Sequence, residues 1–166
     1  MRTGQMRGAS GSAMSELVPR FFKESLIHAP RERVFAFHER PDAFPLLQPP
    51  WEKTRILKPP RSLQVGTVVV LQTQIGPFWL TLEAEHVAYR KNERFEDVLR
   101  KGPFAHFHHK HLFLERGQEC LLRDEIDYAL PGGVLGELAA KWVAQPKLER
   151  MFEYRHQVTR REVEQR

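Results

Sequence analysis

The stretch FAHFHHKHLFLERGQECLLRDEIDYAL, residues 104–130, holds two segments in which apolar and polar side chains alternate around a short polar turn. Alternation with a period of two is typical of strands that have one buried face. If Glu115 pairs with Cys120 across the loop of residues 116–119, the two segments form an antiparallel hairpin with a loop of common length. The stretch therefore predicts a hairpin together with its register, and the register decides which side chains share a face.

This register separates the histidines of the first segment by face, because opposite residues of an antiparallel pair lie about 5 Å apart. The outer face carries complementary charges, with His108 opposite Asp127 and Lys110 opposite Glu125. A shift by one residue would set apolar side chains opposite charged ones, so the first register is favoured. The predicted inner face is mostly apolar and consists of two facing rows, Phe107, His109, His111 and Phe113 opposite Tyr128, Ile126, Asp124 and Leu122.

The rest of the chain predicts an α+β fold. Residues 21–29 suit a first strand, two short helices fit between Pro30 and Pro49, and a 3.6-residue period over about 134–159 predicts a long helix with a kink at Pro146. Leu135, Leu138 and Trp142 recur on one stripe of that helix. We expect six or seven antiparallel strands in a curved sheet that wraps around the long helix, the remaining strands lying in segments 51–58, 65–75, 78–89 and 94–101.

Length and charge predict one domain with basic ends. A chain of 166 residues is long enough for one hydrophobic core, which we place at residues 19–160 between a disordered segment 1–18 and a frayed basic tail 161–166. The net charge is +5, but residues 1–20 carry three arginines against one glutamate, and residues 155–166 carry four arginines against two glutamates. The body is nearly neutral, so we expect no nucleic-acid partner, and only weak membrane contact through the basic ends.

Other sequence signals point to a cytoplasmic protein. Cys120 is the single cysteine, which excludes an internal disulfide and favours a reducing compartment. The first residues lack the apolar run of a secretory signal, and no apolar run is long enough to span a membrane. Cys120 lies beside the hairpin loop, and we interpret it as a structural thiol.

The order of elements, together with five segments, resembles the START superfamily, also called SRPBCC, and within it the polyketide-cyclase-like and coenzyme-Q-binding branches. This resemblance implies the helix-grip fold, with a cavity for a hydrophobic small molecule between the sheet and the long helix. Some relatives occur joined to, or beside, a short-chain-dehydrogenase-like sugar epimerase domain. The segments that carry the resemblance are PRERVFAFHERPDAFPLL (30–47), PPWE (49–52), GPFAHFHHKHLF (102–113), RDEIDYALPGGVLG (123–136) and MFEYRH (151–156).

The superfamily shares no single catalytic motif, so the ligand contacts are predicted from this chain's own residues. Imidazole and carboxylate groups would anchor a polar group of the ligand while aromatic rings contact its apolar body. The resemblance also implies a short-chain-dehydrogenase-like protein as a partner, and this chain itself has no Gly-x-Gly-x-x-Gly motif after a strand. The predicted ligand-binding residues are Trp51, His86, Phe107, His109, His111, Phe113, Asp124 and Tyr128.

Two further uses of the inner-face polar residues stay open. His109, His111 and Asp124 together could hold a divalent metal, and His111 beside Asp124 could move a proton in a cyclisation, dehydration or isomerisation. No third histidine is clearly placed by the sequence, so we expect no metal and no cofactor. The first hypothesis is thus a carrier or sensor of a lipid-, polyketide- or quinone-like molecule, and the alternative is an acid-base enzyme.

Overall fold

A computed structural model of the protein describes residues 20–165. The predicted disordered segment 1–18 lies outside the described residues. Within them, helices and strands form an α+β arrangement in which the helices pack against one face of an antiparallel sheet. This arrangement confirms the predicted fold class.

The sheet of the described chain has seven strands in the order β1-β7-β6-β5-β4-β3-β2, and every neighbouring pair is antiparallel. The first strand therefore lies beside the last one, and the strands between them follow in reverse chain order. The strands are β1 (Arg20–Ile27), β2 (Thr54–Lys58), β3 (Val68–Ile75), β4 (Phe78–Arg90), β5 (Arg94–Lys101), β6 (His106–Arg116) and β7 (Glu119–Ala129).

The hairpin of β6 and β7 has the predicted register. Glu115 is the partner of Cys120, and His111 is the partner of Asp124. The pairing continues one step further than expected, so the turn contains only two residues, of which Gly117 has a φ of 66°. A positive φ costs glycine little, which allows this tight turn.

The helices occupy the predicted places. Two short ones follow the first strand, as expected, and the remaining ones follow β7. The helical segments are α1 (Arg31–His38), α2 (Ala43–Leu46), α3 (Val134–Ala139), a π-helical turn (Ala140–Ala144) and α4 (Gln145–Glu164).

The helical region is interrupted just before the predicted kink at Pro146, by the π-helical turn, and Pro146 itself lies in the first turn of α4. Proline has no N–H to donate, so it is tolerated in the first turn of a helix and disfavoured further inside. Beyond it, α4 runs to Glu164, past the predicted boundary at residue 160. Val163 is buried, and the Glu164 carboxylate accepts a hydrogen bond from the backbone N–H of His28 at 2.8 Å. These contacts explain why the helix continues beyond residue 160, where the basic residues predict a frayed tail.

The apolar stripe of the helical region changes face at the π turn. Before the turn, Leu135 and Leu138 are exposed to solvent, and so is Trp142 within it, by 72%. After it, Leu148 and Phe152 are buried against the sheet. The helical region therefore carries two apolar stripes on different faces, one before the turn and one after it.

The core joins α1 and α4 to the inner face of the hairpin. Phe35, Phe113, Leu122 and Val158 belong to one buried cluster. Along β7, burial alternates strictly from Glu119 to Ala129, so every second side chain points into this core. The alternation confirms the inner and outer faces that the sequence predicts.

Gly136 in α3 packs closely against the backbone of the segment that precedes this helix. A Cβ atom at this position would lie 2.6 Å from the Leu130 carbonyl oxygen and 2.7 Å from that of Pro131. We expect Gly136→Ala to lower the free energy of unfolding by about 1–3 kcal/mol, measured by urea denaturation, although alanine favours helices elsewhere. Glu137→Ala, at the exposed neighbouring position, is the control and should change little. Equal or higher stability of Gly136→Ala would contradict this packing.

Candidate functional site

A cavity of about 520 Å³ lies between the sheet and the helical region that follows β7. One part of its wall is apolar and is formed by strands β3–β5 together with α4. Representative side chains of this apolar wall are Val69, Leu71, Leu82, Ala84, Leu99, Leu148 and Met151. The remainder of the wall holds a group of histidine, aspartate and arginine side chains.

Asp124 is the centre of this polar group. Its Oδ1 atom lies 2.8 Å from His109 Nε2 and 2.7 Å from His111 Nδ1, while Oδ2 lies 2.6 Å from His156 Nε2. A carboxylate can accept several hydrogen bonds at once, and ring N–H groups can only donate to it. Three imidazoles from β6 and α4 are thus bonded to one buried carboxylate.

A second carboxylate, Asp97, faces the other side of the same two rings. Its Oδ2 atom lies 3.5 Å from His109 Nδ1 and 3.5 Å from His111 Nε2. Asp97 on β5 pairs with His109 on β6, and His111 pairs with Asp124 on β7. Three consecutive strands therefore bring these four side chains to one face.

The two carboxylates determine the charge state of His109. Burial alone would lower the pKa of this histidine, but its hydrogen bonds to Asp124 and Asp97 outweigh burial and raise the pKa to about 9. Burial alone would raise the pKa of both carboxyl groups. The hydrogen bonds and positive charge of the facing histidines have a larger effect than burial, so the pKa of Asp97 and that of Asp124 are both far below the usual range.

Two further histidines line the cavity close to this group. Burial lowers the pKa of His38 to about 4, and its Nδ1–H donates to the Val34 carbonyl oxygen at 2.9 Å. Burial also lowers the pKa of His86, which is the pairing partner of Asp97 on β4. The Nδ1 atom of His86 is buried and has no hydrogen-bond partner among the described residues.

Arg155 supplies a positive charge at the same end of the cavity. Its Nε–H donates to the Leu47 carbonyl oxygen at 3.2 Å, and the guanidinium lies 5.1 Å from the centre of the Phe152 ring. Burial lowers the pKa of Arg155, while the charges of Asp124 and Asp97 act in the opposite direction. The polar end thus holds charges of both signs.

Five of the eight predicted ligand-binding residues line the cavity, namely His86, Phe107, His109, His111 and Asp124. All five lie on strands whose alternation the sequence shows. The contact between His111 and Asp124 is the one that the hairpin register predicts.

The other three predicted residues lie outside the cavity wall, which corrects their expected placement. Phe113 packs in the core against Phe35, with 4.9 Å between ring centres. Tyr128 is buried, and its hydroxyl donates to the Ala140 carbonyl oxygen at 3.3 Å. Trp51 is 40% exposed on the surface. Alternation identifies the inner face correctly, but the cavity occupies only part of that face.

Sequence reasoning missed Asp97, His156 and Arg155. Asp97 lies in a segment that reads as a charged strand, and the sequence does not set the register of β5 on β6 that places it opposite His109. His156 follows Phe152 by four residues and so shares its helical stripe, which was a usable signal. Arg155 carried no such signal, since arginine near a chain end is usually exposed.

The geometry permits three kinds of chemistry. The ring N–H groups and the guanidinium can anchor an oxygen of a bound molecule, and a histidine paired with a carboxylate can transfer a proton. Asp97, His109 and His111 also place one donor atom each within 4.8 Å of one another, which suits a metal ion. No helix within residues 20–165 is both long and apolar enough to cross a membrane.

Comparison with solved structures shows that this architecture is the helix-grip fold. A START superfamily protein from Mycobacterium smegmatis aligns with a TM-score of 0.62 at 17% identity, over 88% of this chain and 97% of that one. Norcoclaurine synthase from Thalictrum flavum, in complex with dopamine and hydroxybenzaldehyde, aligns with a TM-score of 0.66 at 12% identity, over 99% of both chains. At such identities the likeness concerns the fold alone.

A third similar structure is longer than this chain. The nucleoside-diphosphate sugar epimerase from Corynebacterium glutamicum aligns with a TM-score of 0.65 at 21% identity, over 87% of this chain but 29% of that one. A search of curated protein sequences gave no match.

The family itself follows from the sequence match. Residues 27–153 match the model of the family described as polyketide cyclase / dehydrase and lipid transport, and the chain belongs to that family. Membership supports the binding of a hydrophobic small molecule as the general function. It leaves open which molecule is bound and whether it is changed.

Asp124 should stabilise the fold more than any carboxylate on the outer face. We expect Asp124→Asn to lower the free energy of unfolding by about 3 kcal/mol, since it removes a buried charge to which three histidines are bonded. Asp127→Asn, three residues along the same strand, weakens ion pairs with Arg20 and Lys110 on the outer face and should cost less than about 1 kcal/mol. Chemical denaturation of both variants measures the difference. Similar losses would show that the buried carboxylate has no special role.

Proposed function

We propose that the protein binds a lipid-, polyketide- or quinone-like molecule in the cavity between the sheet and α4, as a carrier or sensor. The observation that carries this proposal is the shape and chemistry of the cavity, about 520 Å³ with a large apolar wall and one polar end. Cavities of roughly 300–1,000 Å³ with a few convergent polar groups are typical of small-molecule sites.

The polar end gives the bound molecule a direction. Arg155 lines this end beside His109 and His111, and its guanidinium can hold an oxygen-bearing group by charge-assisted hydrogen bonds. The apolar body then lies along Leu71 and Leu82. Burying that body stabilises the complex by about 25 cal/mol for each Å² removed from water.

The similar fold of norcoclaurine synthase supports a cavity of this kind. Its structure holds dopamine and hydroxybenzaldehyde, which are aromatic molecules with polar groups. A ligand that is apolar over most of its surface and polar at one end fits the present cavity in the same general way.

The enzyme alternative rests on one specific contact. His111 Nδ1 lies 2.7 Å from Asp124 Oδ1, and the His111 ring lines the cavity. A histidine paired with a carboxylate inside a cavity can donate or remove a proton in a cyclisation, dehydration or isomerisation. We rank it second because Asp124 is already shared by three histidines, which makes the cluster a structural support as well.

Three other sequence predictions remain predictions. Membrane contact through the basic ends would involve Arg160 and Arg161, which already pair with Glu164 and Glu162 at 3.7 Å. Association with a short-chain-dehydrogenase-like protein and the cytoplasmic location are the other two.

Filling the apolar wall should weaken binding. We expect Ala84→Phe to reduce the affinity for the dye 8-anilinonaphthalene-1-sulfonate about tenfold, measured by fluorescence titration, because the new ring takes up cavity space. Thr81→Phe, on the opposite face of the same strand, is the matched control and should leave the affinity unchanged. Equal effects of both variants, or no binding to the unmodified protein, would contradict the cavity as the binding site.

Carrier and enzyme differ in what happens to the ligand. We expect a hydrophobic ligand that copurifies with the protein, identified by native mass spectrometry, to have the same mass after prolonged incubation with fresh protein. Conversion that disappears in His111→Ala would instead support the enzyme alternative.

A further inference from the structure

We propose that Asp97, His109 and His111 form a binding site for a zinc-like divalent cation, open to the cavity on one side. The inference goes beyond the proposed binding of a hydrophobic molecule and does not depend on it. It also differs from the triad that the sequence suggested, since Asp97 replaces Asp124 as the ligand and Asp124 supports the site from behind.

The separations between the donor atoms suit a shared ion. Asp97 Oδ2 is 3.5 Å from both His109 Nδ1 and His111 Nε2, and the three atoms lie within 4.8 Å of one another. A hydrogen bond between such groups has a length of about 2.9 Å. Donors bound to zinc at about 2.1 Å are separated by about 3.4 Å in a tetrahedral shell. The two measured distances match the edges of such a shell.

Asp124 holds both rings in the orientation that a metal requires. It is bonded through Oδ1 to His109 Nε2 at 2.8 Å and to His111 Nδ1 at 2.7 Å, which are the nitrogens on the far side of each ring. His156 fixes the other oxygen of Asp124 at 2.6 Å. Histidines that bind metals commonly donate their second N–H to a carboxylate, which directs the other ring nitrogen at the metal. A cation bound here would take the place of the proton that His109 carries on Nδ1.

The site keeps an open coordination position. All three proposed ligands line the cavity, and their side chains are slightly accessible, Asp97 by 16% and His111 by 14%. Three protein ligands with one free position are typical of zinc sites that also bind water or another small molecule. A water molecule or a ligand oxygen can therefore enter from the cavity.

His86 provides an independent indication of a missing partner. It is the pairing partner of Asp97 on β4 and lines the same cavity, yet its buried Nδ1 atom has no hydrogen-bond partner among residues 20–165. A buried polar atom without a partner costs about 1–3 kcal/mol. A water molecule bound to a cation at Asp97 could supply that partner.

The donor set favours some cations over others. Two imidazole nitrogens and one carboxylate oxygen suit zinc, cobalt, iron or nickel, whereas magnesium and calcium prefer oxygen ligands alone.

The test uses untagged full-length protein from which metals have been removed by chelation. We expect one zinc ion per chain by calorimetric titration and elemental analysis, and no binding of magnesium. Cobalt bound at the same site should give visible d–d absorption that zinc abolishes by displacement. Zinc should also raise the thermal midpoint of the unmodified protein, because a ligand that binds only the folded state stabilises it.

Variants separate this site from adventitious binding at surface histidines. Asp97→Asn and His111→Ala should each weaken zinc binding by roughly a hundredfold or more. His108 and Glu96 are the matched control, because they form a pair of 2.9 Å on the outer face of the same two strands. His108→Ala and Glu96→Gln should keep the affinity of the unmodified protein.

Two results would overturn the proposal. One is the absence of stoichiometric zinc binding by folded, unmodified protein, a measurement that does not require any variant to fold. The other is equal weakening by His108→Ala and His111→Ala, with circular dichroism showing both to be folded. Dye binding without zinc binding would reject the metal site and retain the hydrophobic cavity, while the reverse result would reject the proposed function alone.

Discussion

The fold depends on the burial of one carboxylate. Asp124 is the only charged side chain among the inner-face positions of β7 from Cys120 to Tyr128. A lone buried charge would be strongly destabilising, and here three histidines compensate it. Two of them lie on the neighbouring strand and the third on α4. The Asp124 carboxylate therefore connects the sheet to the long helix and restricts how the helix lies over the sheet.

This restriction also explains the division of the cavity into two parts. The helix is held close to the sheet where His156 meets Asp124, and apolar contacts at Leu148 and Phe152 fix it further along. Beyond these contacts the helix and the outer strands β3 and β4 enclose the apolar wall. The polar cluster thus lies at one end of the cavity, and apolar groups line the rest of it. An amphipathic molecule meets both environments within one cavity.

Local features of the chain were predictable from sequence, and contacts between distant elements were less so. The register of β6 on β7 follows from a short turn and from strict alternation, so Glu115, Cys120, His111 and Asp124 could be placed from the residues alone. Asp97 could not be placed in the same way, because residues 102–105 connect β5 to β6 without fixing the register. The family resemblance rested on the same local patterns and was confirmed by the match over residues 27–153.

The position of a side chain on the correct face was not sufficient to predict its role. Phe113 and Tyr128 point inward as expected, yet they contact other core groups instead of the cavity. How far a cavity extends along a sheet depends on where the covering helix moves away from that sheet. The position of the helix in turn depends on packing between distant parts of the chain. His156 was overlooked for the related reason that the helical stripe was interpreted as apolar throughout.

The π-helical turn at Ala140–Ala144 acts as a phase shift between the two helices that it joins. An α-helix turns by about 100° per residue, so the additional residue in a π turn rotates everything that follows by about that angle. The rotation explains why Leu138 faces solvent while Phe152 faces the sheet, since fourteen residues of a regular α-helix would place them within about 40° of each other. One additional residue in the helix thus determines which of the two apolar stripes is buried and which is exposed to solvent.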